Sequence, residues 1–264
     1  MICAIPNSPI LVSPACYHYP VAVAFYLPGQ IPVYAFSLLL GVGAALGLGW
    51  MITRSPDSSP LIGVAALIAS VIGGRAAYLL TNWAYYRTSP AEIIQLPLGG
   101  LAWGGALTGG LLAWLVAAWI MRLPPGALAD ALFPLIPLIA LAAWLGCWLD
   151  GCGYGALTSQ WVAIPARDEW GNVAGRVPVQ RIGALLALLT LIGFDLVHGA
   201  AKIPGRAASL GLVAVALQLW WLTTLRADPA PLWRGYRLDL WAAWGFAAVA
   251  VLMLGLSLRN KVIK

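Results

Sequence analysis

The segment LIGVAALIASVIGGRAAYLL, residues 61–80, has the length of a membrane-spanning helix and contains a single charged residue, Arg75. A helix needs about 20 predominantly apolar residues to cross the hydrocarbon layer. On membrane-insertion scales, an arginine at a helix centre costs about 2.5–3.5 kcal/mol. A charged residue inside a span is therefore a candidate for function. The segment therefore predicts a transmembrane helix and raises the question of what Arg75 binds.

Segments of the same kind make up most of the chain. Of its 264 residues, 61% are apolar and 9% are charged, whereas soluble domains carry about 25% charged residues. We therefore predict an all-α polytopic membrane protein with seven transmembrane helices in a single membrane domain at 32–258. The predicted spans are 32–52, 61–82, 100–121, 128–149, 181–200, 207–225 and 238–258.

The segments outside the spans are short. Residues 1–31 contain no Lys, Arg, Asp or Glu and five prolines, which predicts an irregular extracytoplasmic lead-in without a cleaved signal peptide. The polar insert at about 150–180 predicts a small extracytoplasmic cap over the bundle. Residues 259–264 predict a basic cytoplasmic tail.

The net charge of +6 does not indicate a nucleic-acid partner, because no basic run with interleaved aromatic residues is present in the sequence. Seven spans place the termini on opposite sides, and the basic tail favours a cytoplasmic C-terminus and an outer N-terminus. Seven basic residues then fall on each side, so the positive-inside rule gives a tie. The outer basic residues need another reason, and anionic lipid headgroups supply one.

Five motifs follow one another along the predicted spans. They are GGRAAY at 73–78, GGLAWGGALTGG at 99–110, DALFPLIP at 130–137, AWLGCWLDGCGYG at 143–155 and VPVQRIG at 177–183, with Tyr34 before them. In this order they resemble the prolipoprotein diacylglyceryl transferase family over about residues 32–260. The resemblance implies an enzyme of the bacterial cytoplasmic membrane that moves diacylglycerol from phosphatidylglycerol to the cysteine thiol of a lipoprotein signal peptide.

The resemblance and the chemistry of the side chains together give the candidate site. Arg75, Tyr34 and Asp150 are the candidate catalytic residues. The Arg75 guanidinium offers a rigid fork of donors that matches a phosphodiester, and the Asp150 carboxylate could accept a thiol proton or orient Arg75. The candidate substrate-binding residues are Arg75, Tyr78, Gly104, Gly105, Gly155, Gln180 and Arg226.

The predicted partners are phosphatidylglycerol, or another anionic phospholipid, and the prolipoprotein signal peptide. No cofactor is predicted. The spacing of Cys3, Cys16, Cys147 and Cys152 matches no zinc pattern, so no metal site is predicted either.

Several positions depart from the family pattern. Tryptophans replace a histidine and an arginine, two cysteines and an aspartate replace an Asn-x-x-Asn-x-Glu series, and Ile-Gly replaces Tyr-Glu. Tryptophan cannot move a proton at neutral pH, so a diverged paralogue that binds lipid or modifies another acceptor is the alternative. A small secondary transporter is disfavoured, because the chain lacks two-half symmetry. The departing residues are Trp103, Trp144, Cys147, Asp150, Cys152, Ile182 and Gly183.

Structural roles are the competing interpretation for several candidates. Arg75 could pair with Asp130 or Asp150, or reach towards the interface. Asp130, near a predicted helix N-terminus, is assigned a structural role through the helix dipole. Cys147 and Cys152 fit either buried small side chains or a disulfide at the outer face. The glycine pairs at 99–110 indicate close helix packing rather than a phosphate-binding loop.

Overall fold

The computed structural model of the chain describes residues 22–28, 30–54, 60–94, 100–168, 170–200 and 203–259. Residues 1–21 of the predicted lead-in and residues 260–264 of the predicted tail lie outside the described residues. The division into lead-in, membrane domain and tail therefore stays a prediction.

Among the described residues, seven helices are long and apolar enough to cross a membrane, which confirms the predicted seven-span fold. Observed and predicted boundaries differ by a few residues. Two short helices, α3 and a 3₁₀ helix at Pro90–Ile94, lie between the second and third spans. The helices are α1 (Ala35–Arg54), α2 (Pro60–Thr81), α3 (Trp83–Tyr86), α4 (Trp103–Met121), α5 (Pro125–Leu132), α6 (Leu135–Asp150), α7 (Val179–Ala200), α8 (Arg206–Leu225) and α9 (Leu238–Arg259).

The fourth span consists of α5 and α6, which are separated at Phe133 and Pro134. Proline has no N–H to donate and its ring collides with the preceding helical turn. Pro134 is therefore the N-cap of α6, and Pro137 lies in its first turn, where helical N–H groups have no partner within the helix. The DALFPLIP motif thus marks a break inside one span.

Asp130 stabilises the N-terminus of a different helix from its own. Its carboxylate accepts hydrogen bonds from the backbone N–H groups of Gly205, at 2.6 Å, and Ala208, at 2.9 Å. Gly205 is the N-cap residue of α8 and Ala208 lies in its first turn, where helical N–H groups have no acceptor within the helix. The structural role predicted for Asp130 is supported, although the helix that it caps is α8.

The spans form a closed ring in the order α1, α6, α7, α8, α9, α4 and α2. Glycines let neighbouring backbones touch where these helices cross. A Cβ atom at Gly105 of α4 would collide with the carbonyl oxygen of Gly73 of α2, and one at Gly109 would collide with the carbonyl oxygen of Ala69. The prediction that these glycine pairs serve helix packing is therefore confirmed.

Two clusters of buried apolar residues lie towards one end of the ring. One core cluster surrounds Met51, Ile62 and Leu128, and a second surrounds Phe133 and Phe194. Met51 is near the end of α1 and Ile62 is near the start of α2, so the first cluster fills the end at which these two helices connect. The other end carries the longer connections, such as residues 151–178 between α6 and α7.

Three antiparallel hairpins lie at that other end, because successive spans run in opposite directions and each hairpin joins a helix there. The end that carries them is called the hairpin end. Part of the lead-in predicted to be irregular is thus a hairpin, and three two-stranded sheets accompany the predicted helices in the described part of the chain. The pairs are β1 (Val23–Leu27) with β2 (Ile31–Tyr34), β3 (Ile164–Arg167) with β4 (Val173–Arg176), and β5 (Leu232–Trp233) with β6 (Tyr236–Arg237).

The β3–β4 hairpin corresponds to the predicted cap and is held by a buried ion pair. Arg176 donates to Asp168 at 3.1 Å, and the Asp168 carboxylate also accepts the N–H groups of Trp170 and Asn172. Burial by itself raises the pKa of Asp168, but the hydrogen bonds from Asn172 and Trp170 and the charge of Arg176 outweigh it, so the pKa is lowered. The ionised Asp168 carboxylate therefore stabilises the folded hairpin above about pH 4. This contribution to stability is lost as the pH falls through the lowered pKa.

Candidate functional site

Arg75 lies in the last third of α2 and is 8% exposed. Its Nε donates to the carbonyl of Ile93 at 3.0 Å, Nη2 to that of Glu92 at 2.7 Å and Nη1 to that of Gly100 at 3.2 Å. These carbonyls belong to the connection between α2 and α4. The guanidinium therefore holds this connection against the hairpin end of α2.

Two tyrosine rings accompany the guanidinium. The Tyr86 and Tyr78 ring centroids lie 5.5 and 5.9 Å from its central carbon, within the range of cation–π attraction. Gly100 packs between the Arg75 and Tyr78 side chains, where a Cβ would come within 2.6 Å of both. The structure thus brings Arg75 and Tyr78 together. The observed contacts are with the protein itself, and phosphate binding by Arg75 stays a prediction.

Tyr34 and Asp150 both lie at the first hairpin, where each is next to a different residue of β1 or its start. Tyr34 ends β2 and is paired with Val23. The Asp150 carboxylate, at the end of α6, accepts the backbone N–H of Ala22 at 3.1 Å. Because the backbone N–H of Ala35 donates to the carbonyl of Ala22, Ala22 links the start of α1 to the end of α6. Both candidate residues therefore lie at the junction between the first hairpin, the start of α1 and the end of α6.

Cys147 and Cys152 form a disulfide, which was one of the two alternatives left open by their spacing. The bond joins the last turn of α6 to the first residues of the segment that follows it. Gln180 of α7 is 2% exposed, and its side-chain amide donates to the Cys152 carbonyl at 3.0 Å. The predicted site residue Gln180 therefore anchors the chain just beyond the disulfide.

The same segment pairs with the connection between α8 and α9. Gly155 and Arg226 form an isolated antiparallel bridge, and the N–H of Ala227 donates to the Tyr154 carbonyl at 2.9 Å. Three of the predicted residues, Gly155, Gln180 and Arg226, are thus placed within one small region at the hairpin end.

Arg226 belongs to a quartet of two arginines and two aspartates that the sequence analysis did not find. Its Nε donates to Asp228 at 2.8 Å, and its Nη1 lies 3.5 Å from Asp239. Arg237 contacts the same aspartates, at 3.4 and 3.5 Å. Among the described residues, no acceptor binds the buried Nε of Arg237.

The quartet is formally neutral and is held by charge-assisted hydrogen bonds. Burial lowers the pKa of Arg226, but its hydrogen bonds with Asp228 and the charges of Asp228 and Asp239 outweigh this, so the pKa is raised. Arg226 therefore carries its charge at every physiological pH.

Trp144 and Gly183 form a large–small pair across α6 and α7. A Cβ atom at Gly183 would collide with the Trp144 indole, and one at Gly153 would lie 3.3 Å from the same ring. The indole thus occupies the space above both glycines. The two departures from the family pattern at 144 and 183 are complementary in volume.

A cavity of about 630 Å³ opens between α4 and α9. Trp103, Gly104 and Gly105 lie on its α4 wall, and Asp239 lies on its α9 wall. Most of its other lining residues are apolar. None of the described candidate catalytic residues Tyr34, Arg75 and Asp150 is part of its lining.

The cavity lies between the quartet and the region around Arg75. Asp239 belongs both to its wall and to the quartet. On the other side, the N–H of Ala102 at its α4 wall donates to the Gly74 carbonyl next to Arg75. Asp228 and Arg237 could be found from the sequence only as charged residues in the short connection between two spans, and Asp239 only as an acidic residue at the start of the last span.

A model of the prolipoprotein diacylglyceryl transferase family matches residues 20–256 of this sequence. The chain belongs to the prolipoprotein diacylglyceryl transferase family. The resemblance inferred from the five motifs is therefore confirmed, together with the multi-pass membrane character.

Curated members of this family are similar over much of the chain. Phosphatidylglycerol–prolipoprotein diacylglyceryl transferase 1 of Streptomyces coelicolor is 31% identical over 257 residues, which cover 88% of this chain and 71% of the relative. The enzyme of Thermosynechococcus vestitus is 25% identical, with 76% and 80% of the two chains covered. That of Bacillus cytotoxicus is 33% identical over 133 residues, about half of each chain.

Proposed function

We propose that this protein transfers the diacylglyceryl group of phosphatidylglycerol to the cysteine thiol of a prolipoprotein signal peptide. The observation that carries the proposal within the family is the contact between the quartet and the cavity. A largely apolar cleft between two spans fits acyl chains, and arginines that contact Asp239 on its wall fit a phosphate group.

The lipid phosphate would bind Arg226 and Arg237. Arg226 is held by Asp228 through two hydrogen bonds, whereas both arginines lie 3.5 Å from Asp239. The Asp239 contacts are therefore the ones that a phosphate oxygen replaces most easily. The buried Nε–H of Arg237, which no described acceptor binds, supplies a further donor.

In the transfer step, the thiol sulfur attacks the diacylglyceryl carbon that carries the phosphate. A sulfur–carbon bond forms, the carbon–oxygen bond breaks, and its electron pair leaves with glycerol phosphate. The arginines stabilise the negative charge on the leaving phosphate. We assign the thiol proton to the Asp239 carboxylate, because it lies on the cavity wall, whereas Asp150 contacts Ala22.

A lipid-binding paralogue without transfer activity is the second candidate, and the Trp144–Gly183 pair favours it. An indole over a glycine leaves no ionisable group at either position. If the quartet binds phosphatidylglycerol but no thiol is modified, this candidate replaces the first.

Transfer of labelled diacylglyceryl from phosphatidylglycerol to a synthetic lipobox peptide tests the proposal. We expect transfer by the wild type to a cysteine peptide and none to its serine analogue. Arg226→Ala is expected to lower kcat/KM about 100-fold, because a donor to the leaving phosphate is lost. The matched control is Arg234→Asn, which removes an exposed charge at the turn between β5 and β6 and suits the left-handed backbone there (φ 52°).

Two results would contradict the proposal. One is wild-type protein that binds phosphatidylglycerol without transferring it, which is the outcome expected for the lipid-binding paralogue. The other is an Arg226→Ala variant with the activity of Arg234→Asn. Asp239→Asn and Asp150→Asn, compared in the same assay, distinguish the two carboxylates as the acceptor of the thiol proton.

We also propose that the hairpin end faces outward and that the C-terminus is cytoplasmic. The support is the Cys147–Cys152 disulfide at that end, because disulfides persist in oxidising compartments outside the cytoplasm.

Reduction of intact cells, followed by a membrane-impermeant maleimide, is expected to label Cys147 and Cys152 in a Cys3→Ser/Cys16→Ser background. A cysteine introduced at Arg122, at the opposite end of α4, is the control and is expected to stay unlabelled until the cells are lysed. The reverse pattern would invert the orientation.

A further inference from the structure

We propose that the Cys147–Cys152 disulfide is a positioning element that holds Arg226 at the mouth of the cavity between α4 and α9. Reduction of the disulfide would then weaken the binding of phosphatidylglycerol. The choice of this lipid rests on the proposed function, whereas the positioning of Arg226 can be measured independently of it.

The first link is the turn that the disulfide closes. The Cα atoms of Cys147 and Cys152 lie 4.6 Å apart. The Cys152 N–H also donates to the Cys147 carbonyl, at 3.0 Å. Gly151, with φ 75°, lets the chain leave the helix in the left-handed conformation. The position of Cys152 relative to α6 is therefore defined by a covalent bond and a hydrogen bond.

The second link runs from Cys152 to the backbone of Arg226. Gln180 holds the Cys152 carbonyl, and the next residues pair with the connection that follows α8. The Tyr154 carbonyl accepts the Ala227 N–H at 2.9 Å, and Gly155 is bridged to Arg226. A shift of residues 152–155 therefore moves the backbone on which the Arg226 side chain is mounted.

The third link is Gly153, which lies near both the disulfide and the Arg226 guanidinium group. A Cβ built on Gly153 would lie 3.8 Å from the Cys147 sulfur and 3.9 Å from the Arg226 Nε. Both groups therefore lie within 4 Å of one point, with the Trp144 ring on the same point at 3.3 Å. Thiols that separate after reduction would change the packing around the Arg226 side chain itself.

The loop that the disulfide closes is short, with a sequence separation of five residues. A short loop gains less from cross-linking than a long one in the chain-entropy model. The main consequence expected from reduction is therefore local, at residues 152–155 and 226–227, rather than unfolding of the bundle.

The test uses the full-length protein in nanodiscs that contain phosphatidylglycerol, in a Cys3→Ser/Cys16→Ser background. A water-soluble trialkylphosphine reduces the disulfide: the sulfur–sulfur bond breaks, one water supplies two protons to the thiolates, and its oxygen leaves as the phosphine oxide. We expect the KM for phosphatidylglycerol to rise about fivefold, with kcat changed less than about twofold. Reoxidation restores KM. Cys147→Ser/Cys152→Ser gives the high KM and does not respond to the phosphine.

A second measurement does not depend on activity. The Ala227 amide, which donates to the Tyr154 carbonyl, is expected to exchange its hydrogen about tenfold faster after reduction, while amides within α8 are unchanged. If no form of the protein transfers diacylglyceryl, the proposed function fails, and this exchange rate still decides the positioning role.

The positioning role is overturned by an unchanged exchange rate at Ala227. A double serine variant with the wild-type KM also overturns it. The role is also overturned if the double serine variant has an unaltered KM and a kcat that falls in proportion to the amount of folded protein. The disulfide would then only stabilise the fold.

Discussion

Gly105→Leu is expected to prevent assembly of the bundle. The backbones of α2 and α4 touch at this position, and a Cβ at Gly105 would collide with both the Gly73 carbonyl oxygen and the Ala77 methyl group. An added methylene in a packed interior costs about 1–3 kcal/mol. A leucine adds several carbon atoms against rigid backbone, so the two helices have to separate along their whole contact.

The separation would also remove other contacts. The N–H of Ala102, just before α4, donates to the Gly74 carbonyl, and α2 packs more extensively on α4 than on any other helix in the described part of the chain. We therefore expect Gly105→Leu to yield aggregated or protease-sensitive protein, and Gly105→Ala to yield folded protein of reduced stability.

Size-exclusion chromatography and limited proteolysis in detergent measure this effect. The matched control is Gly49→Leu in α1, because nothing lies within 4 Å of a Cβ at Gly49, and leucine is a better helix former than glycine. A monodisperse, protease-resistant Gly105→Leu protein that behaves like Gly49→Leu would show that α2 and α4 do not pack in this way.

The seven spans could be predicted because length and apolar composition alone define them. Their order in the ring could not. Lipid and protein interior are both apolar, so a span has no polar stripe that would distinguish its lipid-facing side from its protein-facing side. The complementarity of Trp144 and Gly183 follows only once α6 is known to pack on α7.

Only part of the candidate site could be predicted, because only some of its residues are unusual in the sequence. Arg75 stands out in the sequence because a charge within a span is rare. Asp228 and Asp239 do not, because acidic residues in a connection between spans or in the first turn of a span are ordinary. Their pairing with Arg226 and Arg237 depends on the β5–β6 hairpin, whose strands are two residues long. Strands this short give almost no alternating pattern.

The disulfide lies between these two cases. The spacing of Cys147 and Cys152 allowed a bond only if Cys152 lay outside the helix, and the sequence did not locate the helix end to within one residue. The structure ends α6 at Asp150, with Gly151 in the left-handed conformation. That single glycine brings Cys152 back towards Cys147.

Arg75→Ala is expected to destabilise the protein strongly, whether or not Arg75 also contacts lipid. The substitution removes the donors to the carbonyls of Glu92, Ile93 and Gly100. A buried carbonyl without a donor costs about 1–3 kcal/mol. The three contacts are part-buried, so the combined loss lies at the lower end, about 3 kcal/mol, which lowers Tm by about 6–12 °C for a chain of this size.

Arg75→Lys separates charge from geometry. A lysine keeps the positive charge, but its compact ammonium group cannot reproduce the planar fork that reaches three carbonyls. We expect a Tm between those of the wild type and Arg75→Ala. The control is Arg181→Ala, which removes an exposed arginine over the Trp148 ring and should cost about 1 kcal/mol or less.

Thermal unfolding and phosphatidylglycerol binding, measured on the same preparations, distinguish the two roles of Arg75. If Arg75→Ala keeps the wild-type Tm but loses lipid binding, the phosphate role predicted from the sequence is correct and the carbonyl contacts contribute little. If Tm falls as expected and the folded fraction binds lipid normally, the role of Arg75 is to order the α2–α4 connection through its hydrogen bonds. The quartet around Arg226 is then the remaining candidate for the phosphate site.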